Sequence, residues 1–428
     1  MLDINLIRTN PKAVENDLKK RGDSEKLRWL KELIDLDAKW RQLKFDVQNI
    51  VHNKNEITKE IAKLKKEGKD VSKQLKQLKD LPEKATVYEA EMTVLKNKID
   101  NYLMRLPNIL HDSVPVGKDD SENGIVREWG KKPEFDFAAR SHVDLLESLD
   151  VGDIERAAKV SGARFYYLKN ELVMLDLALQ QFAIDALRGK GFVPVFPPFL
   201  MKKKPYEGVT SLDDFEDVLY KIEGEDLYLI ATSEHPLTAM HMDETIGPEK
   251  LPIRYAGLST CFRKEAGAHG KDTKGIFRVH QFNKIEQIIF CEPKDSWKFH
   301  EELIKNAEEI FQKLGLPYRI VNICTGDIGT VAAKKYDLEV WMPVQNCYRE
   351  AVSCSNCTDY QARRLNIKSG KEGGKKELVH TLNSTAIATG RCIVAILENF
   401  QNKDGSVNIP KILQPYMGNM KRIEPKKG

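Results

Sequence analysis

The chain has 428 residues, of which 41% are hydrophobic and 31% are charged. This composition predicts a soluble protein of two to four domains with a long exposed helical part. The N-terminal residues lack the apolar run of a signal peptide, and no stretch approaches the length of a membrane span. The cysteines are odd in number, which favours free thiols in a reducing cytoplasm; they stand at 261, 291, 324, 347, 354, 357 and 392.

The formal net charge of +4 is unevenly distributed. Residues 1–106 contain 24 Lys and Arg against 18 Asp and Glu, whereas the remainder contains 44 against 46. Positive charge is therefore concentrated in the N-terminal quarter.

Two heptad seams in that quarter predict a pair of long helices. The apolar positions are spaced alternately by three and four residues, which is typical of coiled coils. The second seam slips near Leu81-Pro82, where a kink or local irregularity is expected. The first seam consists of Leu33, Leu36, Trp40, Leu43, Val47, Ile50, Lys54, Ile57, Ile61 and Leu64, and the second of Leu75, Leu78, Leu81, Ala85, Tyr88, Met92, Leu95, Ile99, Tyr102 and Leu106.

The turn sequence Glu67-Gly68-Lys69-Asp70 separates the two seams, so an antiparallel hairpin is expected. About 32 residues at ~1.5 Å each give an arm roughly 48 Å long. Lys54 to Lys79 contains nine lysines and four acidic residues. A solvated coiled-coil face and a phosphate-binding surface both account for this pattern. Few aromatic residues lie near the tip, so base stacking is not expected there.

The stretch after the arm predicts a linker and then short elements. Residues 106–137 show no periodicity and indicate the linker. Two short helices are expected over 141–160, a strand over 164–168 and an amphipathic helix over 172–187. Residues 191–200 predict a strand outside the centre of a sheet, because the run contains prolines.

A short strand is predicted at 227–230, followed by Ala231-Thr232-Ser233-Glu234 and a helix opening at His235. Thr232 and Ser233 suit helix capping, a role that does not exclude a second one.

Cys261 to Gln287 predicts two strands joined by a Gly- and Lys-rich loop. In the first strand Arg263 and Glu265 share a face. In the second strand one face carries Arg278, His280, Phe282, Lys284 and Glu286. Such a face makes a poor core, and an exposed face with salt bridges is the simplest explanation for one strand. The two strands together suit a ligand with anionic, aromatic and cationic parts.

Three more features lie towards the C-terminus. Glu350 ends a loosely alternating stretch, and on its own it suits a surface salt bridge. Cys354 and Cys357 form a lone C-x-x-C without a second pair, so structural thiols are favoured and no zinc is expected. A strand is predicted at 378–383, and it leads through Ser384-Thr385-Ala386 into a helix. Arg391 is a charged residue on an otherwise apolar side of this helix, so its side chain is expected to extend towards an anion.

The pattern F-R-x-E, a loop, then F-R-x-x-x-F-x-x-x-E resembles motif 2 of class II aminoacyl-tRNA synthetases. FRKEAG followed by RVHQFNKIE is most similar to the seryl-tRNA synthetase family. Pro198 corresponds to the proline of motif 1, and Gly390-Arg391 resembles motif 3. The resemblance covers nearly the whole chain.

The resemblance implies an α+β fold. An N-terminal antiparallel two-helix coiled-coil arm, within a tRNA-binding domain at 1–110, precedes a class II catalytic domain at 111–428 built on an antiparallel β-sheet flanked by helices. It also implies a homodimer that joins L-serine to tRNA(Ser) with ATP and Mg²⁺, with the arm holding the variable arm of the tRNA. Whether a selenocysteine tRNA, tRNA(Sec), is also charged stays open.

The same resemblance implies the site residues. Arg263, Glu265 and Arg391 are the expected catalytic residues, and Glu350 supports Mg²⁺. The expected serine-binding residues are Thr232, Ser233, Glu234, Arg263, Glu286, Asn383 and Thr385. The expected ATP-binding residues are Arg263, Lys264, Glu265, Val279, Phe282, Glu350, Ala351, Val352, Ser353 and Arg391. The loop from Gly267 to Gly275 is expected to become ordered over ATP and then over the tRNA acceptor end.

The sequence departs from the family pattern at two places. Asn383-Ser384-Thr385-Ala386 replaces the common bacterial N-G-S-G, which keeps a hydroxyl but leaves the loop geometry open. Ala351-Val352 stands where the family often has Ile-Ser.

Three other functions compete with a serine–tRNA ligase. A threonyl or prolyl enzyme lacks this N-terminal hairpin, and a ligase that acts on a carrier protein has no need of a basic arm. A non-catalytic RNA-binding descendant predicts loss of Arg263, Glu265 or Arg391, all of which are present.

Overall fold

The computed structural model describes residues 1–212, 216–265 and 274–426. The chain forms two compact units, residues 1–109 and 110–428. Among the helices of the described ranges, none is long and apolar enough to cross a membrane.

The first unit is helical. Its helices are α1 (Ile4–Thr9), α2 (Pro11–Lys20), α3 (Ser24–Lys66) and α4 (Ser72–Arg105). Asp3, Asn10 and Asp23 accept backbone N–H groups at the starts of the first three helices, which satisfies donors that have no partner within the helix. The turn between α3 and α4 contains Gly68 in the left-handed region, with φ of 68°.

The heptad prediction is confirmed along α3. Every apolar position of the first seam is buried or half-buried, and Lys54 is exposed. In α4 the prediction is wrong at Leu75, which is 50% exposed; half-buried Val71 and Gln74 lie near that end of the hairpin instead. Pro82 lies inside α4, so the expected irregularity does not end the helix.

The base of the hairpin holds the core of this unit. Helices α1 and α2 pack there against α3 and α4 through a cluster of Leu2, Ile7, Val14, Leu18, Leu30, Leu33, Ile99, Leu103 and Leu106. Buried Asp37 accepts hydrogen bonds from Arg8 and Arg41. The lysines near the tip lie outside this core.

The second unit contains helices that flank one large sheet. The helices are α5 (His142–Ser148), α6 (Ile154–Ser161), α7 (Glu171–Arg188), α8 (Lys203–Val209), α9 (Glu234–Ala239), α10 (Ser296–Leu314), α11 (Tyr360–Leu365) and α12 (Thr389–Asn399). The strands are β1 (Gly124–Trp129), β2 (Gly152–Asp153), β3 (Tyr167–Leu168), β4 (Val193–Val195), β5 (Leu200–Met201), β6 (Tyr228–Leu229), β7 (Thr245–Ile246), β8 (Ile253–Phe262), β9 (Gln281–Cys291), β10 (Tyr318–Asn322), β11 (Lys334–Met342), β12 (Cys347–Asn356), β13 (Lys368–Ser369), β14 (Glu377–Leu378), β15 (His380–Ala388), β16 (Val407–Asn408) and β17 (Arg422–Ile423).

The main sheet has the strand order β1-β10-β11-β12-β15-β9-β8-β4. Its neighbouring strands are antiparallel, except that the edge strand β4 runs parallel to β8. Helices α7, α10 and α12 pack on the sheet through residues such as Leu179, Phe311 and Ile393. This packing fixes the central strands that carry the site.

Several predicted elements are confirmed and some boundaries are corrected. The two short helices at 141–160, the amphipathic helix and the edge strand are present as α5, α6, α7 and β4. The strand predicted at 164–168 is limited to β3, because Arg164 has φ of 62°. The strand predicted at 378–383 continues to Ala388, so α12 begins at Thr389 rather than after Ala386.

Candidate active site

The strands β8, β9 and β15 form the floor of the site. Glu286 of β9 lies between Gly257 of β8 and Thr385 of β15 in the sheet register. The register shifts between Thr385 and Ile387, so β15 has a bulge beside the site. Bulges commonly redirect side chains near functional sites.

Glu286 is buried and one of its carboxylate oxygens is held on two sides. Its Oε2 accepts a hydrogen bond from the Thr385 hydroxyl at 3.3 Å. The same oxygen lies 2.5 Å from Nζ of Lys284, which is also buried. Oε1 has no hydrogen-bond partner among the residues that the structure describes.

Glu234, at the start of α9, is arranged in the same way. Its Oε1 accepts hydrogen bonds from the side-chain amides of Gln361, at 3.2 Å, and Asn383, at 3.0 Å. Oε2 is without a hydrogen-bond partner in the described part of the chain. Asn383 and Thr385 are two apart on β15 and therefore share a face, which connects the two carboxylates.

The pKa of Glu234 is raised to about 7. Desolvation by burial is the main cause, and the negative charge of Glu286 adds to it, whereas Lys284, Gln361 and Arg263 oppose the shift. A carboxyl that ionises near neutral pH is poised to gain a positively charged ligand.

Thr232 and Ser233 are held by local contacts. The Thr232 hydroxyl accepts the backbone N–H of Glu234 at 3.2 Å, a local turn contact two residues along the chain. The expected helix cap is wrong, because Ser233 is the N-cap residue and no side chain of the described residues caps this helix. The Ser233 hydroxyl donates to the carbonyl of Gly257 at 3.3 Å, and its side chain is fully buried. Both contacts fix the N-terminus of α9, which carries Glu234.

Arg263 and Glu265 follow β8 instead of lying within it. The strand ends at Phe262, and Glu265 has φ of 50°, so the extended conformation predicted through these residues is wrong. Nε of Arg263 donates to the carbonyl of Ala231 at 3.2 Å. Its guanidinium lies 5.3 Å from the centre of the Phe282 ring. Among the residues that the structure describes, the two terminal nitrogens of Arg263 have no hydrogen-bond partner, so they can bind an anion.

Arg278 and His280 likewise precede β9, which begins at Gln281. Arg278 forms an ion pair with Glu265 at 3.1 Å. The carbonyl of His280 accepts the backbone N–H of Arg263 at 2.9 Å. The described residues next to the two strand ends, 263–265 and 274–280, are therefore irregular, and these contacts hold them together.

A cleft lies beside this junction. It is lined by Arg263, Glu265, Ile276, Phe277, Arg278, Val279, Phe282, Ala388, Gly390 and Arg391. The guanidinium of Arg391 lies 5.2 Å from the centre of the Phe277 ring, and its NH1 donates to the backbone carbonyl of Glu350 at 2.8 Å. Aromatic faces and the guanidinium groups of Arg263, Arg278 and Arg391 suit a ligand that combines a base with phosphates.

Glu350 adds an ionised carboxylate next to Arg391. Desolvation acts to raise its pKa, but Arg391, Lys335 and Arg263 outweigh that effect and hold the pKa below its ordinary value. Its Oε1 lies 3.4 Å from NH1 of Arg391, and the side chain is 47% exposed. Such an oxygen is suited to a hard cation.

The other expected nucleotide residues lie nearby in the fold. Ala351 and Val352 are buried in β12, and Ser353 faces Asp337 of β11 in the sheet register. Lys264 is exposed, and its backbone N–H donates to Val218. Most of the loop from Gly267 to Gly275, expected to move, lies outside the described residues.

The cysteines form no disulfide in the described chain. Cys354 and Cys357 are buried, and burial raises the pKa of both thiols. Sγ of Cys357 accepts a hydrogen bond from Asn383 at 3.7 Å. Over the described ranges no group of three or more His, Cys, Asp or Glu is placed to hold a metal ion.

Two residues of the site were not assigned a role from the sequence. Lys284 was expected on the same face as Glu286, but its buried ion pair was not. Gln361 carried no signal, because its partners Glu234 and Thr381 are distant in sequence. Thr381 donates to Oε1 of Gln361 at 2.6 Å, which orients the amide so that its Nε2 points to Glu234.

Comparison with known proteins shows the family to which the chain belongs. Residues 1–110 match the family described as the seryl-tRNA synthetase N-terminal domain, and residues 218–400 match the tRNA synthetase class II core domain of the G, H, P, S and T enzymes. The serine–tRNA ligase of Methanocella arvoryzae is 57% identical over 99% of this chain and 100% of its own length. The chain belongs to the serine–tRNA ligase family. The ligase of Thermococcus sibiricus is 55% identical, over 99% of this chain and 98% of its own.

Solved structures of the family have the same fold. Seryl-tRNA synthetase from Pyrococcus horikoshii, complexed with ATP, superimposes with a TM-score of 0.97 at 53% identity over 100% of both chains. The Naegleria fowleri cytoplasmic serine–tRNA ligase, in complex with AMP, gives a TM-score of 0.90 at 42% identity over 100% of this chain and 99% of its own. The α+β fold class and the class II synthetase core are therefore confirmed.

Proposed function

We propose that the chain activates L-serine with ATP to form seryl-adenylate and pyrophosphate, and then transfers serine to the 3′ end of tRNA(Ser). This proposal depends mainly on two carboxylates, half-buried Glu234 and buried Glu286. In the described part of the chain each has one oxygen held by neighbouring side chains and one without a hydrogen-bond partner, Oε2 of Glu234 and Oε1 of Glu286. Serine has an ammonium group and a hydroxyl, and each needs an acceptor.

In this proposal Glu234 binds the serine ammonium, and Glu286 accepts the serine hydroxyl. Thr232 and Ser233 fix the turn that presents Glu234, and Asn383 and Thr385 hold the two carboxylates. A site built to hydrogen-bond a hydroxyl rejects the analogue that lacks it by on the order of 10⁴–10⁵-fold. Alanine would leave Glu286 without a donor, so alanine is excluded by chemistry and threonine by the size of the pocket.

The nucleotide occupies the cleft beside β8 and β9. Arg263 binds both the serine carboxylate and the α-phosphate through its terminal nitrogens, and Arg391 binds the γ-phosphate. The adenine is held by the ring of Phe282, the backbone of Val279 and the carboxylate of Glu265. Lys264 and the β12 residues Ala351, Val352 and Ser353 complete the walls. Positioning and charge stabilisation supply most of the rate in such chemistry, so no covalent nucleophile is needed.

Magnesium is the metal that we propose to accompany ATP. The carboxylate of Glu350 is ionised and half-exposed, and the hydroxyl of Ser353 lies three residues further along β12. These are hard oxygen donors of the kind that Mg²⁺ takes together with phosphates. Bound there, Mg²⁺ would neutralise charge that develops on the phosphates.

We assign tRNA binding to an N-terminal domain at 1–110 and catalysis to a second domain at 111–428. The outer lysines of the arm, such as Lys63, Lys65 and Lys66, are exposed, and lysines that neutralise phosphates supply the salt-dependent part of RNA affinity. A seryl-tRNA synthetase from M. kandleri, 16% identical to this chain, has been solved in complex with A. aeolicus tRNASec. That likeness extends only to the fold, so tRNA(Sec) stays the second candidate substrate.

A homodimer in a reducing cytoplasm completes the proposal. The edge strand β4 and the residues after it expose Val193 by 56% and Phe196 by 69%, and exposed apolar surface of this kind marks interfaces. None of the seven cysteines forms a disulfide in the described part of the chain, which suits a reducing compartment. Light scattering should give twice the mass of the chain; a monomer at micromolar concentration would refute the dimer.

The experiment that tests the function is charging of tRNA(Ser) in the presence of ATP and Mg²⁺. We expect serine to be attached, with alanine and threonine excluded and with tRNA(Sec) assayed beside tRNA(Ser). Attachment of threonine or proline instead of serine would refute the proposed substrate. Activity on a carrier protein, with every tRNA left uncharged, would refute the tRNA role.

A further inference from the structure

The segment Gly275–Val279 forms one wall of the nucleotide cleft and begins at an unusual glycine. Gly275 has φ of 89°, which side chains rarely adopt. A Cβ atom at this position would lie 2.0 Å from Nε2 of His142. Both the backbone conformation and the neighbouring ring therefore require glycine, and the ring of His142 limits how far the segment can move towards it.

His142 is itself fixed by a buried carboxylate. The residue is 6% exposed, and its Nδ1 lies 2.9 Å from Oε1 of Glu398, which also accepts the backbone N–H of His142 at 3.2 Å. Because a carboxylate oxygen accepts, Nδ1 carries the proton. In the described chain Nε2 has no hydrogen-bond partner, and it faces Gly275.

Glu398 connects this contact to the helix that carries Arg391. Both residues lie on α12, and Glu398 is 1% exposed. The first turn of α12 also contacts the segment, since a Cβ on Gly390 would lie 3.2 Å from the carbonyl oxygen of Ile276. Helix α12 thus meets the segment directly near its N-terminus and through His142 near its C-terminus.

We propose that His142 and Glu398 are positioning residues that set the distance between the Gly275–Val279 wall and Arg391. The wall supplies Phe277 and Val279, and Arg391 supplies the guanidinium for the γ-phosphate, so their separation determines how ATP fits. This inference rests on the proposed ATP-dependent function. If the two residues only filled the core, their substitution would lower stability and would change the KM for ATP and the KM for serine to the same extent.

A double-mutant cycle between His142 and Gly275 tests the proposal. ATP is titrated in serine-dependent ATP–pyrophosphate exchange with wild type, His142→Ala, Gly275→Ala and the double variant. We expect Gly275→Ala to raise the KM for ATP about tenfold in the wild type, a loss equivalent to ~1.4 kcal/mol. In the His142→Ala background the methyl group has room, so the same substitution should cost about threefold, the remainder being backbone strain.

Two controls separate positioning from folding. Glu398→Gln keeps an oxygen that accepts from Nδ1, so its KM for ATP should stay near that of the wild type, whereas Glu398→Ala should raise it. If His142→Ala unfolds below the assay temperature, His142→Asn replaces it, because its amide keeps the donor to Glu398 but is shorter than the ring. The KM for serine should change less than twofold throughout.

The inference is overturned if Gly275→Ala has the same effect in both backgrounds, or if the KM for serine rises as much as that for ATP. Absence of exchange in the wild type would count against the proposed function instead. In that case the dissociation constant of ATP is measured by calorimetry for the same four proteins. The factor by which Gly275→Ala raises this constant is then compared between the wild-type and His142→Ala backgrounds.

Discussion

At the residue scale, the proposed recognition of serine depends on Glu234 and Glu286. Two amides fix one oxygen of Glu234, and a hydroxyl and an ammonium fix one oxygen of Glu286. The second oxygen of each carboxylate has no hydrogen-bond partner in the described part of the chain, so it can accept a hydrogen bond from a ligand. A ligand that supplies both donors, an ammonium group and a hydroxyl, satisfies both oxygens.

The pKa of Glu234 leads to a prediction on pH. Below pH 7 the free protein holds Glu234 largely protonated, and a neutral acid binds an ammonium poorly. We expect kcat/KM for serine to fall about tenfold per pH unit below an apparent pKa near 7. Initial rates of exchange at limiting serine between pH 5.5 and 8 measure this.

Protonation of Glu234 does not lower kcat/KM for serine by unfolding the protein. Its pKa in the folded chain lies above the ordinary value of 4.5. Protonation of this group therefore stabilises the fold as the pH falls, and its contribution is lost as the pH rises through about 7. Thermal unfolding measured over the same range is the control. A flat profile between pH 5.5 and 7 would contradict the assignment of Glu234 to the ammonium.

Residues of the site differ in how far sequence predicts them. Alternation along β9 placed Lys284 and Glu286 on one face, and their ion pair lies on it. Alternation failed at Arg263 and Arg278, because both lie beyond the strand ends in irregular backbone. His142, Gln361 and Glu398 reach the site region through tertiary packing alone, which no local pattern encodes.

The arm is the feature best predicted at the scale of elements. Heptad spacing alone indicates the hairpin, since most of its apolar positions pair within two adjacent helices. The helices are longer than the seam implied, because α3 begins at Ser24, where the seam gives way to packing against α1 and α2. Pro82 is tolerated within α4, and its own side chain is exposed to solvent.

Removal of the outer arm should separate the two reaction steps. Contacts between Glu60 and Gln74 and between Glu32 and Tyr102 define which residues face each other across the hairpin. By that register, replacing residues 43–91 with a short Gly-Ser turn shortens both helices equally and keeps the core at the base. We expect exchange to stay within about twofold, and charging of tRNA(Ser) to fall at least 100-fold through loss of phosphate contacts.

The matched control replaces Lys63, Lys65 and Lys66 by Gln without shortening the arm. The KM for tRNA should rise, and its dependence on salt should weaken, because fewer counterions are released on binding. Equal charging by the shortened protein and the wild type would refute the role of the arm in binding RNA.

At the scale of the whole molecule, the basic charge and the β-sheet lie in different parts of the chain. The N-terminal 106 residues hold the excess of basic residues, and the unit at 110–428 holds the sheet and its buried carboxylates. Composition predicts this division because RNA binding needs exposed lysines, while recognition of a zwitterion needs desolvated groups. Composition does not predict the strand order, which depends on pairings distant in sequence.

The most direct test of the account is serine-dependent ATP–pyrophosphate exchange by Glu286→Ala. The matched control is Glu308→Ala, because Glu308 is also a buried carboxylate, and it pairs with Arg127 at the far edge of the sheet. Circular dichroism and thermal unfolding establish that both variants fold. We predict that exchange is abolished in Glu286→Ala and retained in Glu308→Ala. Exchange near the wild-type rate in folded Glu286→Ala would contradict it.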